Sequence, residues 1–380
     1  MAAAQATFQR GLAVARKSGS GMARAIVYSN LALVTYICGQ RHRAEAVCRQ
    51  GFEDCRDARG RLMPISVLID VAMGLIEYQA NQLAEAEQSL QRVMQVSQQL
   101  GFSTIMVGGR NTLALIQFAL GNPAGAYAGL EETIRLAKQA GIEVMVRPAA
   151  SVRANLDLRQ GHLEQASEWL AASDLPLRPL DAQRETEYYP ACQVLVRQKR
   201  FKEAQDVLDQ LLALDETQGS QAYLLVDYIL QAGLNSAAGD SVRALQALEQ
   251  AVRLAAGEEY RRPFLDYGWE LAELLSQLRG LAPLFIDSIL GAQPAAVAAP
   301  ALLPGPAPRN TPPVLLEEPL SERELDVLRL LALGLSNRAI AERLVLTEGT
   351  ARWHANNIYS KLGVHSRTQA VALARDLKLI

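Results

Sequence analysis

The sequence predicts an all-α protein: a superhelix of helical repeats joined by a Pro-rich linker to a four-helix head. Three observations carry this. A turn residue followed five positions later by Ala recurs, with a near-constant spacing, from the start of the chain to near residue 290. The stretch Gly291 to Pro319 holds eight of the sixteen prolines. Leu320 to Ile380 packs four short apolar-periodic segments, each opened by a helix-capping residue. The expected boundaries are 1–290 for the repeats, 291–319 for the linker and 320–380 for the head.

The repeat marker is Gly39…Ala44, Asn81…Ala86, Gly121…Ala126, Gly161…Ala166, Lys199…Ala204 and Gly239…Ala244, with the alanines 42, 40, 40, 38 and 40 residues apart. A second set of breakers, Gly19, Gly60, Gly101, Gly141, Gly219 and Gly257, closes the segments that begin at the alanines. Two breakers per period mean two helices per repeat. Gly takes the left-handed conformation that ends a helix, and Ala lets paired helices approach closely. Leu83, Leu90, Val93 and Met94 form the apolar stripe of one second helix. Asn81 tolerates the left-handed region, whereas Lys199 makes its boundary the weakest.

Single pairs cannot bury both faces, so neighbours are expected to stack into a superhelix with a concave surface. Ala4 lies 40 residues before Ala44, so Ala4–Lys17 reads as a second helix whose first helix is absent, exposing Phe8, Leu12 and Val14. The expectation is that the chain is the C-terminal part of a longer ancestor or gene product, with a divergent cap as the alternative. Between Leu175 and Tyr189 the pattern loosens around Pro176 and Pro179. The run Tyr260 to Trp269, followed by the amphipathic Glu270–Leu278, is expected to close the array. Glu258-Glu259 and Arg261-Arg262 read as solvated charges at a helix end. Trp169, Tyr188 and Tyr189 read as repeat core rather than as ligand platforms.

The linker's Pro density excludes a helix. As a flexible coil it spans roughly 30 Å, and as extended polyproline II about 90 Å. In the head, Ser321 and Glu324 make a capping box before Leu325, Leu328, Leu331 and Ala332, and Gly334 ends this first helix. Ser336 caps a second helix with Ile340, Ala341 and Leu344 inward. Thr347 caps a third, where Ala351, Ala355, Ile358 and Leu362 form one buried stripe ended by Gly363. Ser366 caps a fourth with Ala370, Val371, Ala374 and Leu377 apolar.

The second and third helices make a helix-turn-helix, whose later helix enters the DNA major groove. With the stripe inward, Arg352, Trp353, Asn356 and Ser360 face away. Arg352 suits guanine, Asn356 adenine or phosphate, and Trp353 a thymine methyl or sugar, so these three are the candidate base readers. Thr347 and Thr350 at the helix start, with Ser360 and Lys361, are the candidate phosphate and backbone contacts.

The stretch 320–380 resembles the LuxR-type (GerE) helix-turn-helix. It carries L-[ST]-x-R-E at Leu320–Glu324, G-L-S-N at Gly334–Asn337, I-A at Ile340–Ala341, N-I-Y-x-K-L-G-V at Asn357–Val364 and R-T-x-A at Arg367–Ala370. In the T-V-K-x-H motif at Thr350–His354, Ala351 stands for the usual Val and Arg352 for the usual Lys. The repeats resemble the tetratricopeptide superfamily with a longer period. Together with Arg262-Pro263-Phe264-Leu265-Asp266, they look like the C-terminal portion of MalT-type activators. That resemblance implies a nucleotide-binding module, an effector-sensing superhelix and a terminal DNA-binding domain. No G-x-x-x-x-G-K-[ST] occurs in these 380 residues, so ATP-driven assembly is not carried over.

Composition agrees. Apolar residues are 49% and charged residues 21%, as in ordinary globular proteins. The net charge of −2 hides an asymmetry: nine Lys/Arg against six Asp/Glu in 320–380, and 28 against 32 in 1–291. The four cysteines show no CxxC pair and read as buried thiols. His354 has no nucleophile or carboxylate at motif spacing, and no acid/base pair, metal cluster or phosphate loop emerges. The expectation is therefore a cytoplasmic bacterial transcriptional regulator that is not an enzyme and needs no cofactor or metal. Its expected partners are double-stranded promoter DNA, RNA polymerase, a small-molecule or protein effector at the repeats, and a second copy paired through the head, with no membrane contact. The alternative is an interaction module that modulates another regulator or a separate ATPase.

Overall fold

A computed structural model describes residues 1–100, 103–139, 141, 143–292, 322–332, 335, 337–344, 355, 358, 370 and 374. One unit contains α1 (Ala2–Lys17), α2 (Gly21–Ile37), α3 (Arg41–Asp54), α4 (Val67–Gln79), α5 (Leu83–Leu100), α6 (Ser103–Ala119), α7 (Pro123–Gln139) and α8 (Glu143–Arg159). It continues through α9 (Leu163–Ala172), α10 (Tyr188–Arg197), α11 (Phe201–Gln218), α12 (Gln221–Ala237), α13 (Ser241–Ala255), α14 (Arg262–Tyr267), α15 (Ala272–Gln277) and α16 (Pro283–Ala292). A second unit holds α17 (Glu322–Ala332) and α18 (Asn337–Leu344). The fold is all-α, with no strand among the described residues. The linker stretch 293–319 lies outside them.

The six expected pairs form as α2/α3, α4/α5, α6/α7, α8/α9, α10/α11 and α12/α13. Each pair turns on one left-handed residue: Gly39, Asn81, Gly121, Gly161, Lys199 or Gly239. The same two backbone bonds close every turn, as in Lys199 N–H to Val196 O and Arg200 N–H to Leu195 O, both 2.9 Å. Lys199 thus adopts φ 59°, and the weakest boundary by residue type has the same geometry as the others. All six marker alanines, Ala44, Ala86, Ala126, Ala166, Ala204 and Ala244, are fully buried. Leu90 and Val93 are fully buried, with Leu83 and Met94 packed beside them.

Some second breakers differ. Gly60 does not end α3, which stops at Asp54; it sits in a turn whose Arg59 and Arg61 N–H groups donate to Asp57. After α13 the left-handed residue is Glu259, not Gly257. Gly101 lies outside the described residues. The loosened stretch before α10 becomes an extended segment and a short 3-10 turn, Ala182–Glu187. Tyr188 and Tyr189 are buried and Trp169 packs against them.

The segment 258–267 packs on the first helices of the pairs, with its partners lying on them or at their ends. Tyr260 donates to Tyr36 O (2.9 Å), and the Arg261 N–H to Gln79 O (2.9 Å). Tyr78 donates to Asp266 Oδ2 at 2.7 Å, and the Arg159 guanidinium lies 2.9 Å from Asp266 Oδ1. The Tyr267 ring meets that of Tyr189 at 5.8 Å. One core therefore joins α2 and α4 to α12 through α16. The expectation of solvated charges is overturned at Arg262, which is 4% exposed and pairs with Asp266, 5% exposed, whereas Glu258, Glu259 and Arg261 are half-buried. Asp266 also meets Tyr78 and Arg159, more than a hundred residues away, which sequence spacing could not reveal.

α1 is tied down by Arg16 to Asp54 at 2.7 Å and by the amino terminus donating to Gln218 O at 2.7 Å. Phe8 is half-buried, Leu12 joins the core, and Val14 is 69% exposed. Gly39 is needed twice over: its φ is +78°, and a Cβ there would stand 2.7 Å from Gln221 Cβ on α12. Cys48, Cys55 and Cys192 are buried free thiols, and Cys38 is half-buried.

Two expectations follow. Asp266→Ala strips Arg262 and Arg159 of their buried counter-charge and should cost about 3–5 kcal/mol in urea unfolding. Lys199→Gly removes a side chain from a left-handed position, so stability should rise by about 0.5–1 kcal/mol with an unchanged helical circular dichroism spectrum.

Candidate nucleic-acid interface

The head is built on α17 and α18. On α17, Val327, Leu328 and Leu331 are buried and Leu330 nearly so. The expected face of Leu325, Leu328, Leu331 and Ala332 is therefore turned: Leu325 and Ala332 are only half-buried, and Val327 and Leu330 replace them. The reason is that α17 is covered from more than one side, by α18 and by Ala355, Ile358, Ala370 and Ala374. A helix's own periodicity does not say from which side its neighbours arrive.

On α18, Ile340 and Ala341 are buried and Leu344 packs against them, as the pattern predicts. The Leu335 N–H bonds Leu330 O, five residues back, a bond typical of a helix end closed by a left-handed turn. Ala355 and Ile358, three apart, are helical and buried in the same core. This agrees with the stripe expected for the third segment. Ala370 and Ala374, four apart, do the same for the fourth.

The candidate base readers Arg352, Trp353 and Asn356 lie outside the described residues. So do the candidate phosphate contacts Thr347, Thr350, Ser360 and Lys361, the caps Ser321, Ser336 and Ser366, and His354.

One cleft of the repeat unit lies between α10, α12 and the segment after α14. It is lined by Cys192, Gln193, Arg197, Leu230, Tyr267 and Glu270 and holds about 30 Å³. That admits a few waters rather than a metabolite. Its polar features are Gln193, whose Nε2 donates to Tyr267 O at 3.4 Å, and the Arg197–Glu270 pair at 2.9 Å. The described residues contain no group of His, Cys, Asp and Glu able to hold a metal. No helix among them is long and apolar enough to cross a membrane.

The chain carries a helical-repeat unit followed in sequence by a small α-helical head. Residues 318–374 match the model of the bacterial regulatory proteins of the luxR family. Residues 1–281 match the MalT-like TPR region, and the chain belongs to that family. It is similar to the HTH-type transcriptional regulator MalT of Vibrio cholerae, 26% identical over 319 residues, which is 78% of this chain and 34% of that protein. Its head is similar to that of the transcriptional regulatory protein LnrK of Bacillus subtilis, 57% identical over 51 residues (13% of this chain, 23% of LnrK). It is likewise similar to the Fimbriae Z protein of Salmonella typhimurium, 48% identical over 62 residues (16% and 30%). The chain thus spans about a third or less of the length of these relatives.

Ile358→Ala should empty a fully buried position of the head and cost it about 2–5 kcal/mol. The expected readout is loss of DNA binding in a gel-shift assay, with the thermal transition of the repeat unit unmoved.

Proposed function

We propose that this chain regulates promoters by reading DNA with the third segment of the head, while the repeat unit receives the signal. The single observation that carries the reading is the luxR-family match over 318–374 on a chain whose Ala355 and Ile358 are buried. With those two inward, Arg352, Trp353 and Asn356 are the base readers, and Thr347, Thr350, Ser360 and Lys361 hold the backbone. The domains are 1–290 for the signal, 291–319 as linker and 320–380 for DNA. Two heads pair through the fourth segment and meet half-sites about one helical turn, roughly 34 Å, apart. The protein works in the cytoplasm with RNA polymerase and without enzymatic chemistry of its own.

The signal is a small molecule or a protein at the repeats. The small cleft and the packing of the segment 258–267 on the first helices favour an effector that competes with that segment rather than one that fills a ready pocket. A second reading, an interaction module serving another regulator or a separate ATPase, is favoured by the exposed apolar side chains Val14, Met22 and Ile26 on α1 and α2. Purification from the native cell decides between them, since a partner-free protein that footprints promoters by itself excludes the second.

Arg352→Ala should lower specific affinity by about 1–3 kcal/mol and relax one base position, whereas Lys361→Ala should weaken all sequences alike and reduce the salt slope by about 1. Unchanged promoter selectivity in the Arg352 variant would remove it from the reading set.

A further inference from the structure

Three buried acids of the repeat unit have a guanidinium partner: Asp266 has Arg262 and Arg159, Asp70 has Arg92, and Glu187 has Arg184. Glu77 accepts from Ser89 and Asp157 from Tyr127. Three others, neighbours of one another, have no cation. Asp215 on the last turn of α11 and Asp227 in the middle of α12 are 0% exposed, and Glu185 in the 3-10 turn Ala182–Glu187 is 8% exposed. Asp215 is within hydrogen-bond reach of both Asp227 and Glu185. As carboxylates, neither Asp215 nor Asp227 has a donor for either oxygen. Two carboxyls can bond each other only when one carries a proton. Ser220, also fully buried and with its hydroxyl lacking a hydrogen-bond partner, neighbours Asp215. Tyr189 donates to Glu185 Oε1 at 3.4 Å.

We propose that Glu185, Asp215 and Asp227 form a proton-held brace, which fastens the 182–187 turn to the α11–α12 hairpin while protonated and releases it when the proton leaves.

On the same turn, the charges of Arg184 and Glu187 pair with each other at 2.7 Å. Tyr189 and Cys192 face the cluster from α10, and Tyr223 and Tyr228 from α12; all four are neutral. No charged residue of α8, which also packs on the turn, acts on the three carboxyls. Burial raises all of them: Glu185 to about 8, with Asp215 adding to it, and Asp227 well above its ordinary range. Loss of the proton leaves like charges in a dry site, which repel. Asp215 and Asp227 sit on α11 and α12, two helices joined by only a short turn, so the short turn carrying Glu185 is the part that can leave. It is preceded by a non-helical stretch, 174–181.

The pH dependence has a definite sign. The folded chain keeps a proton that the unfolded chain, with a Glu near 4.5, has lost. Stability therefore falls as pH rises from the ordinary carboxyl range to about 8 and levels off above it. Glu77, which burial pushes up to about 7, adds a similar slope and is removed first with Glu77→Gln. In that background, Glu185→Gln should flatten the fall of the melting temperature with pH, and should stabilise the chain more at alkaline than at acid pH. Identical slopes with and without Glu185→Gln would overturn the brace. Should the double variant not fold, two measurements on the Glu77→Gln chain still decide. The infrared C=O stretch of a protonated carboxyl should persist at neutral pH and vanish on alkaline titration; its absence at neutral pH counts against the proposal. Amide exchange in residues 182–189, corrected for intrinsic rates, should speed up about tenfold per pH unit below the transition. Corrected exchange that ignores pH would also overturn it. The brace belongs to the repeat unit, so none of these outcomes bears on the DNA-binding reading.

Discussion

The closure of the repeat unit depends on the carboxylate of Asp266. It is almost wholly buried, and a lone charge there would be costly enough to unfold a marginal domain. Three groups compensate, two of them from distant parts of the chain. Arg262 lies one turn earlier on the same helix, Tyr78 ends the first helix of the second pair, and Arg159 ends that of the fourth. The Arg262 guanidinium also lies 4.9 Å over the Tyr78 ring, and that of Arg159 lies 4.6 Å over Phe118. Charge, hydrogen bond and ring face converge on one point, which only the curved array can bring together. The knot therefore specifies one geometry of the array more than it adds net stability, since buried ion pairs are seldom strongly stabilising in themselves.

The remainder of the unit is repetitive by comparison. Six turns with the same pair of backbone bonds, each followed by a buried alanine, set the spacing of the pairs. A methyl side chain at that position leaves no room for variation in helix separation, so the curvature accumulates regularly. Regular curvature is what brings the turn at Gly39 against Gln221 on α12. It also lets the segment 258–267 reach both the first and the fourth pair. A signal that binds the repeats must act on this closed arrangement.

Much of this was legible before any coordinates. The pairs, their turns and the buried alanines follow from breaker and small-residue spacing, which local backbone physics makes readable. Lys199 shows the limit of reasoning from residue type: the turn bonds of its pair hold it left-handed although Lys disfavours it. In the head, Ile340, Ala341, Ala355 and Ile358 were assigned inward from periodicity and are buried, whereas Val327 and Leu330 were missed. The difference is that the first set lies on a simple stripe, while α17 is covered from several sides.

By itself, the sequence determined the number of helix pairs, the place of each turn, the basic character of the head and the inward stripe of its third segment. These are properties of neighbours in the chain, governed by backbone conformation and helical period. Only the tertiary structure decided that the segment 258–267 packs on the first helices of the pairs, that Tyr78 and Arg159 meet at Asp266, and that three acids meet without a cation. Each of these joins residues far apart in sequence, where burial changes the energy of a charge and no local pattern records it.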